Sequence, residues 1–132
     1  MTTNILFMCP HNAAKSVLAE SFAKQQLSNR NVENIQMSTA GTEPDEANSR
    51  IVLDYLAKNE LEAPMHDPRR VSQADLDAAD YVISFGCDLS EFELKDVQEI
   101  EWLGVVDTSQ DVDAAATDIE DRVEKLFAKL LD

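Results

Sequence analysis

At 132 residues the chain sits near the commonest size for one domain, long enough to bury one sizeable core. Hydrophobic residues at 44% and charged residues at 28% place it outside the disordered and fibrous classes. With 26 acidic against 11 basic residues, the formal net charge of -15 opposes binding to nucleic acid and anionic membranes, and fits a salt-adapted or an ordinarily acidic surface.

Strands and helices alternate along the chain. Asn4 to Cys9 is a short, continuously apolar run, as expected of a strand buried on both faces. Val17, Leu18, Phe22 and Ala23 recur at helical spacing, so a helix is predicted to about Ser28, followed by a turn at Asn29-Arg30-Asn31. Ile35 to Thr39 reads as the second strand, stopped by Ala40-Gly41. Thr42-Glu43-Pro44 is predicted to open a second helix carrying Ile51, Val52, Tyr55 and Leu56. Pro64 and Asp67-Pro68 mark a loop, after which Ser72 caps a helix with Asp75 three residues on. Tyr81 to Phe85 is the third strand, ended by Gly86. A short helix is predicted over Glu91 to Lys95, and the fourth strand over Trp102 to Val106. The last helix is predicted from about Asp113 to Leu131, with Ile119, Val123, Leu126, Phe127, Leu130 and Leu131 as its apolar stripe. Neither repeats nor linkers divide the chain, so residues 1–132 read as one domain.

This order predicts an α/β three-layer sandwich: a four-stranded parallel sheet with helices on both faces. Ligands in such folds bind beyond the carboxyl ends of the strands. The Cys9 loop, the turn at Gly41, the Gly86-Cys87 segment and the Asp107 segment all follow strand ends and are expected to meet on one edge.

Met1 to Asn4 carries no positive charge, and the apolar run after it is too short to span a bilayer. No signal peptide is expected. Cys9 and Cys87 make no secreted disulfide framework, so a cytoplasmic chain with free thiols is expected, in which any disulfide between the two is transient and functional.

Cys9-Pro10-His11-Asn12-Ala13-Ala14-Lys15-Ser16 joins the first strand to the first helix. Ala13 and Ala14 let the backbone approach a ligand, and successive amides at a helix N-terminus attract an oxyanion. The same partial positive charge favours a thiolate at the loop's start. Ser16 is placed to hydrogen-bond the sulfur, and Asn12 to hold the loop. A lysine in a first helical turn is disfavoured by the helix dipole, which argues for an anion beside Lys15. His11 lacks an acid or base partner in sequence and is expected to shape the loop. His66 has no metal-ligand spacing. Trp102 is expected in the core, and Asp111, Asp113, Asp118, Glu120 and Asp121 on a solvated helix start.

With these residues in view, the loop resembles the Cys-x5-Arg-Ser/Thr loop of the low-molecular-weight protein tyrosine phosphatases and the arsenate reductases related to them. His11-Asn12-Ala13 is closer to the arsenate reductase branch. The resemblance continues through Ser38-Thr39-Ala40-Gly41-Thr42, the Ala79 to Cys87 segment and Trp102. It implies a phosphatase-I-like fold in which Cys9 is the nucleophile. Pro10, His11, Asn12, Ala13, Ala14 and Lys15 hold the anion, Ser16 assists the sulfur, and Lys15 stands where the family has arginine. Asp107 is the implied general acid, with Asp111 as the alternative, because Asp107 is followed by Thr108 rather than proline and lies one residue farther from Trp102 than the family spacing. Cys87 stands where such reductases carry a thiol after the third strand. The further cysteine of the thioredoxin-coupled members is missing, which leaves a two-thiol scheme or an external reductant: thioredoxin or a low-molecular-weight thiol. The resemblance implies no metal and no organic cofactor.

Three functions follow. The first is an enzyme acting on arsenate, phosphate or a phosphoester. The second is an anion-binding regulatory protein on a retired enzyme fold, motivated by Lys15 and the altered Asp107 loop. The third is a phosphocysteine carrier similar to those of sugar transport, against which the chain length and the Ser38 to Thr42 segment argue.

Overall fold

The computed structural model describes residues 2–131. Its elements are β1 (Thr3–Met8), α1 (Lys15–Asn29), β2 (Ile35–Ala40), α2 (Arg50–Lys58), α3 (Gln73–Ala78), β3 (Tyr81–Ser84), β4 (Gln98–Glu101) and α4 (Val112–Leu130). The four strands form one parallel sheet in the order β2-β1-β3-β4. No helix among the described residues is long and apolar enough to cross a membrane.

The two-residue period of a strand splits the core in two. Ile5 and Phe7 of β1 face a large cluster filled by α1, α2 and α4, whereas Leu6 and Met8 face a smaller one with Val71, Leu76, Val82 and Leu89. All four β1 side chains are at most 1% exposed, so the continuous apolar run belongs to a central strand. Helix α1 is buried from Ser16 through Ala23 and runs through the middle of the larger cluster. The stripe on α4 packs there through Ile119, Val123, Leu126 and Phe127, while Leu131 is exposed.

Three local expectations need correction. The fourth strand is Gln98–Glu101, not Trp102 to Val106. It pairs Gln98 with Tyr81 through Glu101 with Ser84, and Trp102 adds one last bond to the Ser84 carbonyl at 2.8 Å before the chain turns. An edge strand is kept from pairing with other chains by charged residues, which hide it from a search for apolar runs; Trp102 and Val105 are buried from a loop instead. The second helix begins at Arg50 behind a Ser49 cap, whose side chain accepts from the Val52 amide at 3.3 Å; residues 42–49 form a loop. Glu91 to Lys95 is irregular and covers the smaller core with Phe92 and Leu94. The last helix lies where expected, α4 starting at Val112 behind Asp111, whose side chain accepts from the Ala114 amide at 3.0 Å. The Ser72 expectation holds in full: Ser72 and Asp75 form a reciprocal capping box. Burial alone would raise the Asp75 carboxyl, but hydrogen bonds from Arg69 and Ser72 outweigh it and hold it below the usual carboxylate range.

Gly41, at the end of β2, is where the second loop crosses the first. A Cβ there would lie 2.6 Å from the Pro10 carbonyl oxygen and 2.8 Å from that of Cys9, both backbone atoms that cannot rotate away. Gly41→Ala should therefore lower stability by about 1–3 kcal/mol. Urea denaturation and calorimetry check this; stability equal to the parent chain's would contradict so close a crossing.

Candidate active site

Residues 9–14 turn from β1 into α1 with Asn12 in the left-handed region at φ 51°, one of few non-glycine residues suited to it. The turn is held from behind. The amides of Glu43, Asp45 and Ser49 donate to the carbonyls of Pro10, His11 and Ala13 at 2.7, 3.0 and 2.9 Å. The Asn12 amide donates to the Cys9 carbonyl at 3.2 Å, and the Asn12 Oδ1 accepts from the Arg69 amide at 2.9 Å. With those carbonyls occupied, the amides of His11, Ala13, Ala14 and Lys15 have no backbone acceptor among the described residues. Helix α1 accentuates this. Its N-cap is Ala14, which offers no side-chain acceptor, and its first turn has no acidic residue, whereas Ser49, Ser72 and Asp111 cap α2, α3 and α4 with their side chains. Open N-terminal amides and their dipole suit an anion.

Under this ring lies the Cys9 sulfur, 3.1 Å from the Ser16 Oγ and 3.4 Å from the Ser16 amide that donates to it. Asn12 Nδ2 donates to the same Oγ at 3.0 Å, which occupies a hydroxyl lone pair and leaves the hydroxyl hydrogen for the sulfur. Asn12 and Ser16 are fully buried, so the network is shielded from water. Two donors converging on one sulfur form an arrangement that suits an anion.

Cys9 forms the floor of a cavity of about 370 Å³ with Pro10, His11, Ala13, Ala14 and Lys15; Asp45 and Ser49 lie on one side, Phe85, Asp107 and Thr108 on the other. Lys15 reaches the far wall, its Nζ donating to the Val105 carbonyl at 3.0 Å. An ammonium has three donors, so two remain for a ligand. Asp107 Oδ1 accepts from the Ser109 hydroxyl and amide at 2.7 and 2.8 Å. The Ser109 side chain, then its amide, hold the Asp107 carboxyl below the usual carboxylate range, with Lys15 adding to the effect.

The residues expected at the site are thus gathered, with two exceptions. Asp111 has its carboxylate engaged as the α4 cap and does not line the cavity. Cys87 packs in the smaller core, on the sheet face away from the Cys9 cluster, and does not line the cavity either. Burial, with the nearby Cys9 adding to it, pushes its thiol up to about 11, hydrogen bonding with Ser84 and Thr42 offsetting only part. His11 does shape the loop, its Nδ1 lying 3.0 Å from the Glu43 carbonyl and 3.4 Å from Asp45.

The clasp of Glu43, Asp45 and Ser49 leaves no mark in the sequence, because it acts through backbone amides that any residue except proline supplies. Sequence reasoning also missed Phe85 in the wall, Val105 as the partner of Lys15, and Ser109 on Asp107. Only Ser109 left a trace, since Asp-x-Ser is a common local turn.

The sequence model described as low molecular weight phosphotyrosine protein phosphatase matches residues 4–96. A provisionally named arsenate reductase of Halobacterium salinarum is 28% identical over 130 residues, which is 96% of this chain and 92% of that one. A thioredoxin-dependent arsenate reductase of Corynebacterium glutamicum superposes with a TM-score of 0.83 at 20% identity over 98% of this chain, which spans only 62% of that longer one. A low molecular weight protein tyrosine phosphatase of T. tengcongensis superposes with a TM-score of 0.86 at 18% identity, covering 97% and 99% of the two chains.

Because the Ser109 hydroxyl is the largest influence on Asp107, Ser109→Ala should move the Asp107 carboxyl up toward its ordinary value. A carbon-detected NMR titration of the carboxylates reads this directly; an unmoved midpoint would show that the hydroxyl does not tune it.

Proposed function

The chain belongs to the low molecular weight phosphotyrosine protein phosphatase family, and from that premise we propose that it is a thiol-dependent arsenate reductase with Cys9 as nucleophile. That family and its relatives here comprise cysteine-based phosphatases and arsenate reductases. The observation that carries the reading is the Cys9 sulfur with two donors on it, beneath the uncapped N-terminus of α1 and the Lys15 ammonium. The match to the Halobacterium protein over nearly the whole chain favours arsenate. So does the cavity mouth: Asp45 and Asp107 on a chain of charge -15 discourage an anionic phosphoprotein, whereas a small inorganic ion needs no docking surface.

In the proposed reaction the Cys9 thiolate attacks arsenic in line. A sulfur–arsenic bond forms; Asp107, ionised in the free chain, takes up a proton as the oxyanion binds beside it and passes it to the departing arsenate hydroxyl, which leaves as water. The inward amides and Lys15 carry the charge on the remaining oxygens. An external thiolate then attacks the Cys9 sulfur. The sulfur–arsenic bond breaks, its electron pair reduces arsenic from the +5 to the +3 state, and arsenite departs. A second thiol equivalent reduces the mixed disulfide and frees Cys9. A low-molecular-weight thiol or thioredoxin supplies both equivalents, with no metal or organic cofactor. Cys87 does not serve as the resolving thiol in this scheme, since burial keeps it protonated near neutral pH and thiolate is the attacking form.

Lys15 supports a second reading, an anion-binding protein with little turnover, because a point charge replaces the planar fork that aligns two oxygens. The tests separate the two. Cys9→Ser should abolish thiol-dependent arsenate reduction, a loss of about 10⁴-fold or more, while Cys87→Ser should leave it intact. Lys15→Arg should raise the slow hydrolysis of p-nitrophenyl phosphate by about tenfold, equivalent to roughly 1.4 kcal/mol of barrier. Phosphate binding without turnover of either substrate, under reducing conditions, would establish the second reading instead.

A further inference from the structure

The segment that carries Asp107 leaves the sheet at Trp102, whose ring packs on Phe7 and Phe85 at centroid distances of 6.1 and 5.7 Å. It regains regular structure only at α4. Between these anchors it is held through its carbonyls by two cations on different helices. Lys15 of α1 takes the Val105 carbonyl at 3.0 Å, and Arg122 of α4 takes the Leu103 carbonyl at 2.8 Å through Nη2. Gly104 sits between the two points with φ +79° and open space around it, so the segment could follow another path if a tie were released.

The two ties are not equivalent. Lys15 has a second task in the reaction proposed above, where its ammonium faces the oxyanion. Arg122 faces no ligand. It is itself fixed one turn back on α4 by Asp118, with Nε to Oδ1 at 2.8 Å and Nη2 to Oδ2 at 3.4 Å. One planar guanidinium thus joins a carboxylate and a main-chain carbonyl at set angles, which a lysine cannot reproduce.

We propose that Arg122 is a positioning residue for Asp107: braced by Asp118, it fixes the Leu103 carbonyl and so sets the path that brings Asp107 to the cavity. The proposal rests on the reading of Asp107 as the general acid. An acid must lie within hydrogen-bond reach of the leaving atom, and a displacement of about 1 Å lowers rates by up to about 100-fold.

The test uses phenyl phosphate, whose poor leaving group needs the proton, against p-nitrophenyl phosphate, which needs it little, beside arsenate reduction. Arg122→Ala should lower kcat about 10- to 100-fold on phenyl phosphate and arsenate. It should leave p-nitrophenyl phosphate turnover, KM and inhibition by inorganic phosphate nearly unchanged. Arg122→Lys should recover little, and added guanidinium ion should recover part of the Arg122→Ala loss. In an Asp107→Asn background, itself lowered about 100-fold or more, Arg122→Ala should cost nothing further. Independent of turnover, Arg122→Ala and the milder Asp118→Asn should speed hydrogen exchange of the 103–107 amides and leave residues 9–16 and the melting temperature nearly unchanged. Parental exchange rates, equal losses on both aryl phosphates, or an additive loss in the Asp107→Asn background would each overturn the positioning role. If Asp107→Asn alone leaves kcat unchanged, the acid assignment fails first and the proposal falls with it.

Discussion

The amides of Glu43, Asp45 and Ser49 take up the carbonyls of Pro10, His11 and Ala13, and the polarity of the whole catalytic edge follows from that clasp. A peptide group has two ends. Once those oxygens are bonded, the loop amides that have no backbone acceptor are left for a ligand, a source of partial positive charge that needs no basic side chain. Gly41 sets the spacing, since any larger residue would push the two backbones apart. The cysteine loop is therefore a surface with two layers, and the outer one is supplied by a segment more than 30 residues further along.

The cations of the site divide their work in a chain that is otherwise strongly acidic. Lys15 carries the one positive side chain that lines the cavity, and it also bridges to the wall bearing Asp107. A compact ammonium suits such a double role because its three donors rotate freely toward partners in different directions. The two cysteines show how surroundings differentiate identical groups. Cys9 rests at a helix start among polar donors; Cys87 lies among Leu89, Val71 and Val82, where a charge would be poorly solvated.

Much of this was legible in the sequence, and what was not shares a cause. The run Ile5 to Met8 announced a central strand because burial on both faces removes every polar residue. The Ser72–Asp75 cap and the roles of Asn12 and Ser16 were legible because a side chain at a fixed offset performs them. Strand β4 lies a few residues before the apolar run because an edge strand is written in charges, and only Trp102 and Val105 of that run are buried, from a loop. The 42–49 loop was misread as a helix start because Glu43-Pro44 suits one locally, while the hydrogen bonds that extend it run to residues distant in sequence. Asp111 was weighed as an acid and proved to be a cap; both roles call for a carboxylate after a turn, and only three dimensions separate them.

Helix α1 begins at Ala14 without a side chain to close its first turn, and it is the most deeply buried helix in the molecule. Elsewhere such a cap contributes about 1 kcal/mol. In the proposed function an oxyanion completes the helix from outside the chain, so occupancy of the site and resistance to unfolding would become one equilibrium. At a hundredfold excess over its dissociation constant, any such ion adds about 2.7 kcal/mol to the native state. The heat tolerance of this protein would in that sense be a property of its medium, rising and falling with the concentration of such an ion around it.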